Sequence, residues 1–442
     1  MRRMAPTSAF RFPRLLLPRA GTDLRRWCVI ACDQYTSDPA YWARVADEVG
    51  TAPSTLHLIF PEAYLGKAGA EERIARIQAA MRRYRAERLL VEHDGTVLVE
   101  RTLPDARVRR GLMLELDLEH YDYSPASTSL IRPTEGTMVE RLAPRIEVRR
   151  DAELELPHIL VLIDDPQHTV IEPVASARTG LRPLYDTELM QHGGRVSGHA
   201  LDAATQARVQ AALAALADGP AFAARHGLPA NAPPMQFAMG DGNHSLATAK
   251  ACWERIKPTA GPDHPARWAL VEVVNIHDPA LEFSPIHRLL CGVVGDVRQA
   301  LAAHYGPRVQ ITDQADAAAM SAALAAAPPE RHSAGLVQPG GRLAVVSIEA
   351  PDAEVLDVAT FQAFVDALVA RGGAREVDYV HDDDALARLA AAEGNAGLHL
   401  KTLGKSELIG RVARSGPLPR KAFSMGEADE KRYYLEARRI RP

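Results

Sequence analysis

The chain has 442 residues, more than one compact core usually holds, so two or three domains are expected. Its hydrophobic fraction of 47% and charged fraction of 24% are ordinary for a globular protein in water. Fifty-two basic residues against 56 acidic ones give a net charge of −4, which argues against a general nucleic-acid surface.

The sequence shows neither a targeting signal nor a cysteine pattern typical of a metal site or a disulfide framework. The apolar run at residues 15–17 is too short for a signal-peptide core, and no run approaches the roughly 18 apolar residues of a membrane span. We therefore expect a cytoplasmic protein with no membrane and no nucleic-acid partner. Cys28 and Cys32 lack a second close pair that would complete a zinc site, and four cysteines do not make a disulfide framework.

Helix and strand signals are clear in the N-terminal region. The Ser-Asp-Pro sequence at residues 37–39 predicts the start of a helix that Gly50 ends. A second helix is predicted over residues 70–90. Residues 111–119 alternate between leucines and carboxylates, which predicts a strand with one wet face in an antiparallel sheet.

Helices and strands are also predicted further along the chain. Residues 159–163 predict a fully buried strand, residues 202–226 an alanine-rich helix, and residues 268–276 another strand. Beyond residue 296, alanine-rich helices alternate with short strands. These elements predict an α/β (α+β) protein with mixed sheets. Three regions are expected: residues 1–110, 111–295 and 296–442, of which the first and last are α/β.

The most informative segment is residues 235–256. An apolar run ends at Gly240, the turn Asp-Gly-Asn-His follows at residues 241–244, and a helical pattern begins at about Ser245. Free N–H groups and the positive end of the helix dipole collect at such a helix start, which makes it a natural phosphate site. The face expected to be buried consists of Ala249, Cys252, Trp253 and Ile256.

Other polar clusters have both an ordinary and a functional interpretation. The ordinary ones are a helix-capping turn, a solvated loop, structural histidines at a strand end and a basic tail; the functional one is a ligand site. The clusters lie at residues 33–37, 132–145, 275–288 and 419–427. Neither a P-loop, nor a dinucleotide-binding glycine motif, nor a nucleophile elbow occurs in the sequence, so those three enzyme classes lack support.

Taken in order, these segments resemble the domain of unknown function 1015 family over residues 28–438. The family's usual central motif is similar to Asp-Gly-His-His-Arg, so Asn243 and Ser245 depart from it. The matching segments are CDQYTSDPAYW, IRPTEGTMVERL, LPHILVLIDDP, GDGNHSLATAK, NIH followed by PIHR, and LPRKAFSMGEADEKRYYLEAR.

Through its central motif this family is similar to the ParB/sulfiredoxin superfamily, which includes nucleotide-hydrolysing partition proteins, sulfiredoxin and kinases of free serine. The resemblance implies a ParB/sulfiredoxin-like core at residues 111–295, with α/β parts on both sides. It also implies an active site formed by the turn and an upstream acid. Asp241 and His244 match the turn, and Glu135 best matches the acid.

The leading hypothesis is a nucleotide-dependent phosphotransferase that acts on the hydroxyl of a small serine-like metabolite. Glu135 is the predicted base, Asp241 holds Mg²⁺ or orients the acceptor, and His244 stabilises the transferred group. ATP or ADP is the expected nucleotide. The remaining predicted phosphate or substrate contacts are Gly242, Asn243, Ser245, Arg141, His287, Arg288 and Lys421, where Arg288, Arg141 or Lys421 replaces the arginine missing from the motif.

Two other functions remain open at this stage. If water replaces the acceptor hydroxyl, the same site becomes a phosphomonoester hydrolase. The partition proteins suggest instead a nucleotide-binding switch without metabolic turnover. The expected partner is a small phosphate-bearing ligand, and the sequence leaves the oligomeric state open.

Overall fold

The fold is taken from a computed structural model, which describes residues 8–350, 352 and 355–442. The chain forms two compact units. Unit 1 takes the chain up to Glu282 together with Val412–Pro417 and Gly426–Pro442, and unit 2 comprises Phe283–Arg411 and Leu418–Met425. The three-region division expected from the sequence stays a prediction.

Strands and helices alternate along the described residues. The strands are β1 Phe10–Arg11, β2 Arg14–Pro18, β3 Leu90–Asp94, β4 Val97–Thr102, β5 Val108–Asp117, β6 Ile131–Arg132, β7 Leu154–Glu155, β8 Leu160–Ile163, β9 Arg182–Glu188, β10 Arg195–Ala200, β11 Phe237–Asp241, β12 Trp268–Asn275, β13 Phe283–Pro285, β14 His287–Cys291, β15 Val309–Gln314, β16 Arg331–Gln338, β17 Arg342–Glu349, β18 Glu376–Val380, β19 Asn395–His399, β20 Phe423–Met425 and β21 Arg438–Arg439. The α-helices are α1 Leu24–Trp27, α2 Pro39–Val49, α3 Ala70–Ala86, α4 Leu142–Arg150, α5 Glu172–Ser176, α6 Ala203–Leu216, α7 Gly219–His226, α8 Asn243–Ile256, α9 Val297–Tyr305, α10 Ala317–Ala325, α11 Asp357–Ala370, α12 Asp383–Ala390 and α13 Lys405–Ser415.

A mixed nine-stranded sheet forms the centre of unit 1. Its strands run in the order β6-β11-β8-β12-β5-β4-β10-β9, and β1 pairs with β5 as well. The β6–β11 and β8–β12 pairs are parallel, whereas β12–β5, β5–β4 and β11–β8 are antiparallel. The predicted α/β class with mixed sheets is confirmed.

Both faces of this sheet are buried. Leu112, Leu114 and Leu116 of β5 pack in one apolar cluster with α6 and α8. Val99 of β4 and Met113 of β5 point to the other face and pack with α2 and α3. Because helices cover both faces, β5 has no face left for water.

The predicted wet face of β5 is therefore wrong. Glu115 is buried, and its carboxylate pairs with Arg438 at 3.2 Å and with Arg11 at 2.6 Å. Asp117 is buried as well and accepts two hydrogen bonds from Arg267, at 2.9 and 2.6 Å. Glu115 and Asp117 are internal ion-pair partners, because buried charges are stable only when they are paired, whereas Glu119 is exposed in the 3-10 helix that follows the strand.

Three helix predictions needed adjustment. The helix predicted at residues 202–226 breaks into α6 and α7, because Asp218 caps a new helix by accepting the N–H of Ala221. The helix predicted over residues 70–90 ends at Ala86, and β3 follows from Leu90. Helix α8 begins at Asn243, earlier than expected. Its buried residues are Leu246, Ala247, Thr248, Ala249 and Trp253, whereas Ile256 is exposed.

Unit 2 contains a six-stranded sheet with the order β15-β17-β16-β19-β14-β18, in which every pair is antiparallel. Its most buried helix is α11, whose Phe361, Phe364 and Val365 are fully inside. The predicted alternation of helices and strands beyond residue 296 is confirmed. In the described part of the chain, no helix has the length and apolar character that crossing a bilayer requires.

Candidate functional site

The turn between β11 and α8 is shaped by Gly242. Its φ of +79° is a left-handed conformation that favours glycine, and a Cβ there would approach Ile159 to 3.1 Å. The Gly242 N–H donates to Oδ1 of Asp241 at 2.9 Å, which folds that carboxylate over the turn. Strand, glycine and helix thus place the Asp241 side chain beside the start of α8.

The start of α8 is not capped by its own residues. Gly242 supplies no side-chain oxygen, and the backbone N–H groups of Asn243 and His244 have no partner among the described residues. The Asn243 Oδ1 and His244 Nε2 atoms are also buried without a hydrogen-bond partner in the described part of the chain. Buried polar atoms are nearly always paired, so the two unmet side-chain atoms, beside two N–H groups that the helix leaves free, make this helix start a candidate site for a polar ligand.

The imidazole of His244 is uncharged at neutral pH. Burial lowers the pKa of His244 to about 4, and the positive charges of Arg145 and Arg141 add to this effect against the opposing charge of Asp33. Arg141 is exposed at the end of the 3-10 helix Val139–Arg141. The turn therefore lies within the electrostatic reach of two arginines and one carboxylate.

A chain of hydrogen bonds connects α8 to two distant segments. The Ser245 Oγ lies 2.9 Å from Nε2 of His158, and Nδ1 of the same ring lies 2.7 Å from the Tyr434 hydroxyl. That hydroxyl also accepts the N–H of Cys32 at 3.0 Å. Ser245, which departs from the family motif, thus fastens the helix start to His158, on the segment leading into β8.

Asp33 brings a second carboxylate to the site. Its Oδ2 lies 3.7 Å from Nε2 of His158. Burial raises the pKa of Asp33, but His158, the Gln34 amide and Lys431 together outweigh it and hold that pKa below its ordinary value. Asp33 is therefore an ionised acceptor at neutral pH, close to His158 and within reach of His244.

Two cations accompany these carboxylates. Lys431 Nζ lies 3.2 Å from Oδ2 of Asp241, and its charge also lowers the pKa of Asp33. Arg145 donates from Nε to Oε1 of Glu62 at 2.7 Å. Burial raises the pKa of Glu62, and the charge of Asp33 raises it further against the attraction of Arg145. Negatively charged carboxylates and positively charged side chains are thus interspersed around the start of α8.

Glu135 follows β6, which pairs with β11. The neighbouring Thr134 donates its hydroxyl hydrogen to the carbonyl of Met239 at 2.6 Å, which ties this loop to the strand that leads into the turn. Glu135 is half-buried. Its role as a base stays a prediction.

The other three predicted contacts belong to unit 2. Arg288 is fully buried and donates to the Gln362 side chain and to the carbonyls of Ile286 and Lys421. Its guanidinium thus stabilises the interior of unit 2, and its phosphate contact stays a prediction. Lys421 is exposed on the same unit.

His287 lies in a cluster with Asp383 and His399, here called the histidine cluster, whose possible ligand atoms all lie within 4.8 Å of one another. The Leu400 N–H donates to Nδ1 of His287 at 3.0 Å, so Nε2 must carry the proton that it donates to Asp383 at 2.6 Å. A metal would need that nitrogen unprotonated. Both ring nitrogens of His287 are therefore engaged within unit 2, and its phosphate contact stays a prediction.

Comparison with known proteins decides the family. The model of the family described as "Protein of unknown function (DUF1015)" matches residues 16–368. The chain belongs to this family. No curated protein matches the chain.

Solved structures similar to this DUF1015 protein include three of interest. A conserved hypothetical protein from Pyrococcus furiosus has 13% identity and a TM-score of 0.35, covering 71% of this chain and 89% of its own. A free serine kinase in complex with AMP has 12% identity and a TM-score of 0.37, covering 73% and 90%. SbnI with C-terminal truncation from Staphylococcus aureus has 13% identity and a TM-score of 0.33, covering 70% and 84%. Similarity at this level carries no functional assignment.

Five residues of the DUF1015 site were not among those predicted from the sequence. Asp33 lay in a cluster that was singled out, and it shares with Asp241 a position directly after an apolar run. His158, Lys431 and Tyr434 lie in two of the segments that carry the family resemblance, LPHILVLIDDP and LPRKAFSMGEADEKRYYLEAR, but no local pattern singles them out within those segments or marks Glu62. The five are Asp33, Glu62, His158, Lys431 and Tyr434.

Proposed function

We propose that this protein transfers a phosphoryl group from a nucleotide, ATP or ADP, to the hydroxyl of a small metabolite. The observation that carries the proposal is the uncapped start of α8, where two backbone N–H groups and two buried side-chain atoms lack partners. Phosphate oxygens at a helix start would accept hydrogen bonds from the two N–H groups and from His244 Nε2, whereas Asn243 Oδ1 would accept one from a donor such as the substrate hydroxyl. Phosphoryl transfer asks mainly for such positioning and for charge neutralisation.

In this proposal the N–H groups of Asn243 and His244 bind the oxygens of the transferred phosphoryl group. The neutral His244 ring donates a further hydrogen bond from Nε2, which is buried and otherwise unpaired. Removal of one such donor typically lowers kcat by about 10²–10³-fold. Arg141 adds positive charge near the turn, consistent with its effect on the pKa of His244.

The general base is the second part of the proposal. The acceptor oxygen bonds to the terminal phosphorus, the bond from that phosphorus to the bridging oxygen breaks, and the hydroxyl proton passes to a carboxylate. Asp33 is the carboxylate that we assign to this role, because it is ionised and its charge reaches both His244 and His158. Glu135, the base expected from the family resemblance, is the alternative.

Mg²⁺ would neutralise charge on the nucleotide phosphates. It usually takes one or two protein carboxylates, the rest of its shell being phosphate oxygens and water. Asp241 fits this role as a single ligand, although its two oxygens now accept from Gly242 and pair with Lys431. Loss of activity with a chelator, restored by added Mg²⁺, is the expected result.

The test is a transfer assay with ATP or ADP and a set of acceptors that includes serine and benzyl alcohol, followed by phosphorus NMR of the products. Asp33→Asn is expected to abolish transfer, whereas Glu135→Gln is expected to retain it. Asp47→Asn is the matched control, because Asp47 is exposed on α2. Free phosphate released from phosphoserine or benzyl phosphate without nucleotide consumption would assign a phosphomonoester hydrolase instead. Nucleotide binding without turnover would favour a switch.

A further inference from the structure

A partly enclosed pocket of about 150 Å³ adjoins the start of α8. Ser245 and His158, which are hydrogen-bonded to each other, form part of its wall, so the pocket is continuous with the candidate site. The opposite walls come from other parts of unit 1 and include α4. Much of the lining is apolar, as in Leu58, Phe60, Met81, Val148, Leu154 and Leu270.

The charged residues in this lining neutralise one another. Arg145 pairs with Glu62, and Arg149 pairs with Glu155. The described lining therefore offers no unpaired charge to the ammonium or carboxylate group of a free amino acid. Burying an amino-acid zwitterion against such walls would leave its charges unpaired, which is costly.

We propose that this pocket holds an uncharged apolar group of the hydroxyl substrate, so that the acceptor is an alcohol with an apolar group of about six carbon atoms. This inference rests on the proposed function and specifies its substrate class. The size follows from the volume, because a dry apolar cavity of about 150 Å³ in another protein binds benzene. The hydroxyl lies at the His158 and Ser245 wall, and the apolar group fills the rest.

Calorimetric titration of the full chain with a series of phosphomonoesters tests this assignment. The ligands are inorganic phosphate, methyl phosphate, butyl phosphate, benzyl phosphate and phosphoserine. Each buried methylene is expected to strengthen binding about fourfold. Benzyl phosphate should therefore bind at least tenfold more tightly than methyl phosphate, and phosphoserine should gain nothing over methyl phosphate.

The variant Val148→Phe fills the pocket from α4. It is expected to remove the gain from the benzyl group and to leave the affinity for inorganic phosphate unchanged. Glu147→Gln, on the exposed side of the same helix, is the matched control and should behave as the unaltered protein. If Val148→Phe does not fold, Ala152→Leu fills the same pocket from its lining and gives the same comparison.

Several outcomes would overturn the assignment. Equal affinity for methyl and benzyl phosphate, or tighter binding of phosphoserine, contradicts an apolar subsite while phosphate binding at the turn still stands. If adenosine competes with benzyl phosphate, and its binding is lost in Val148→Phe, the pocket would be assigned to a nucleoside. In a further outcome, no phosphate compound binds, yet benzyl alcohol raises the melting temperature of the unaltered protein and leaves that of Val148→Phe unchanged. In that case the apolar pocket stands and the proposed function fails.

Discussion

The most informative prediction concerns proton binding by His244. In the free protein the pKa of this ring is lowered to about 4, first by burial and then by the charges of Arg145 and Arg141. A bound dianion at the start of α8 would favour the charged ring. Two unit charges about 4 Å apart interact by about 4 kcal/mol at the effective dielectric constant near a protein surface. Because about 1.4 kcal/mol corresponds to tenfold in proton affinity, the anion would raise this pKa to about 7.

Anion affinity should consequently depend on pH with a definite sign. The complex binds more protons than the free protein only between the two pKa values of His244. Affinity is therefore expected to rise as the pH falls through about 7 and to level off below about 4. Sulfate is the suitable probe, because it keeps its charge over this range whereas phosphate does not.

Histidine Cε1–H signals in NMR spectra measure this directly. His244→Ala identifies the signal, and the same variant should lose the pH dependence of sulfate affinity determined by calorimetry. The remaining histidines serve as internal controls. A His244 signal that titrates near 6.5 in the free protein, or one that does not move when sulfate saturates the protein, would refute the electrostatic description of the turn.

Three further predictions concern other parts of the molecule. Arg267→Gln leaves the Asp117 carboxylate buried without its partner and should lower the free energy of unfolding by about 3–5 kcal/mol. The exposed Arg150→Gln is the control and should lower it by less than about 1 kcal/mol, as measured by urea denaturation. Gly242→Ala should lower the free energy of unfolding by about 1–2 kcal/mol and also weaken phosphate binding measured by calorimetry. Gly227→Ala, which has a similar φ but open surroundings, should lower stability without changing phosphate binding. Zn²⁺ should not raise the melting temperature of the protein, because the tautomer fixed in the histidine cluster opposes metal binding; a stoichiometric rise abolished by His399→Ala would contradict this.

Local patterns in the sequence predicted the elements that carry the turn. The apolar run before Gly240 and the helical spacing after it predict β11 and α8, because burial of one helix face needs no information from elsewhere in the chain. The same local pattern predicted α2, whose start is capped by Asp38. The prediction of mixed sheets, which is confirmed, was likewise made from the residue pattern of individual strands.

Long-range pairing was not predictable in this way. The alternation in β5 indicates two kinds of side chain, but it does not reveal that Arg438, near the other end of the chain, pairs with Glu115. The charged face of β5 was therefore predicted to be exposed to water, although it is buried. Correct assignment would have needed knowledge that a second helical layer covers the sheet.

The candidate site shows the same division. Asp241, Asn243 and His244 are neighbours in sequence, so a turn motif was enough to find them. Asp33 and Lys431 reach the turn only through the fold, and their contribution depends on charges that no spacing rule connects. Arg288 was also chosen from its local sequence, which did not reveal that its guanidinium donates hydrogen bonds to Gln362 and Lys421 inside unit 2.

The central claim is that the start of α8 binds a phosphate group. A crystal structure of the protein with AMP or inorganic phosphate tests this most directly. The account predicts a phosphorus atom at the helix start, with its oxygens within hydrogen-bond distance of the Asn243 and His244 N–H groups. Phosphate bound elsewhere in the molecule, with the turn at residues 241–245 left unliganded, would contradict it.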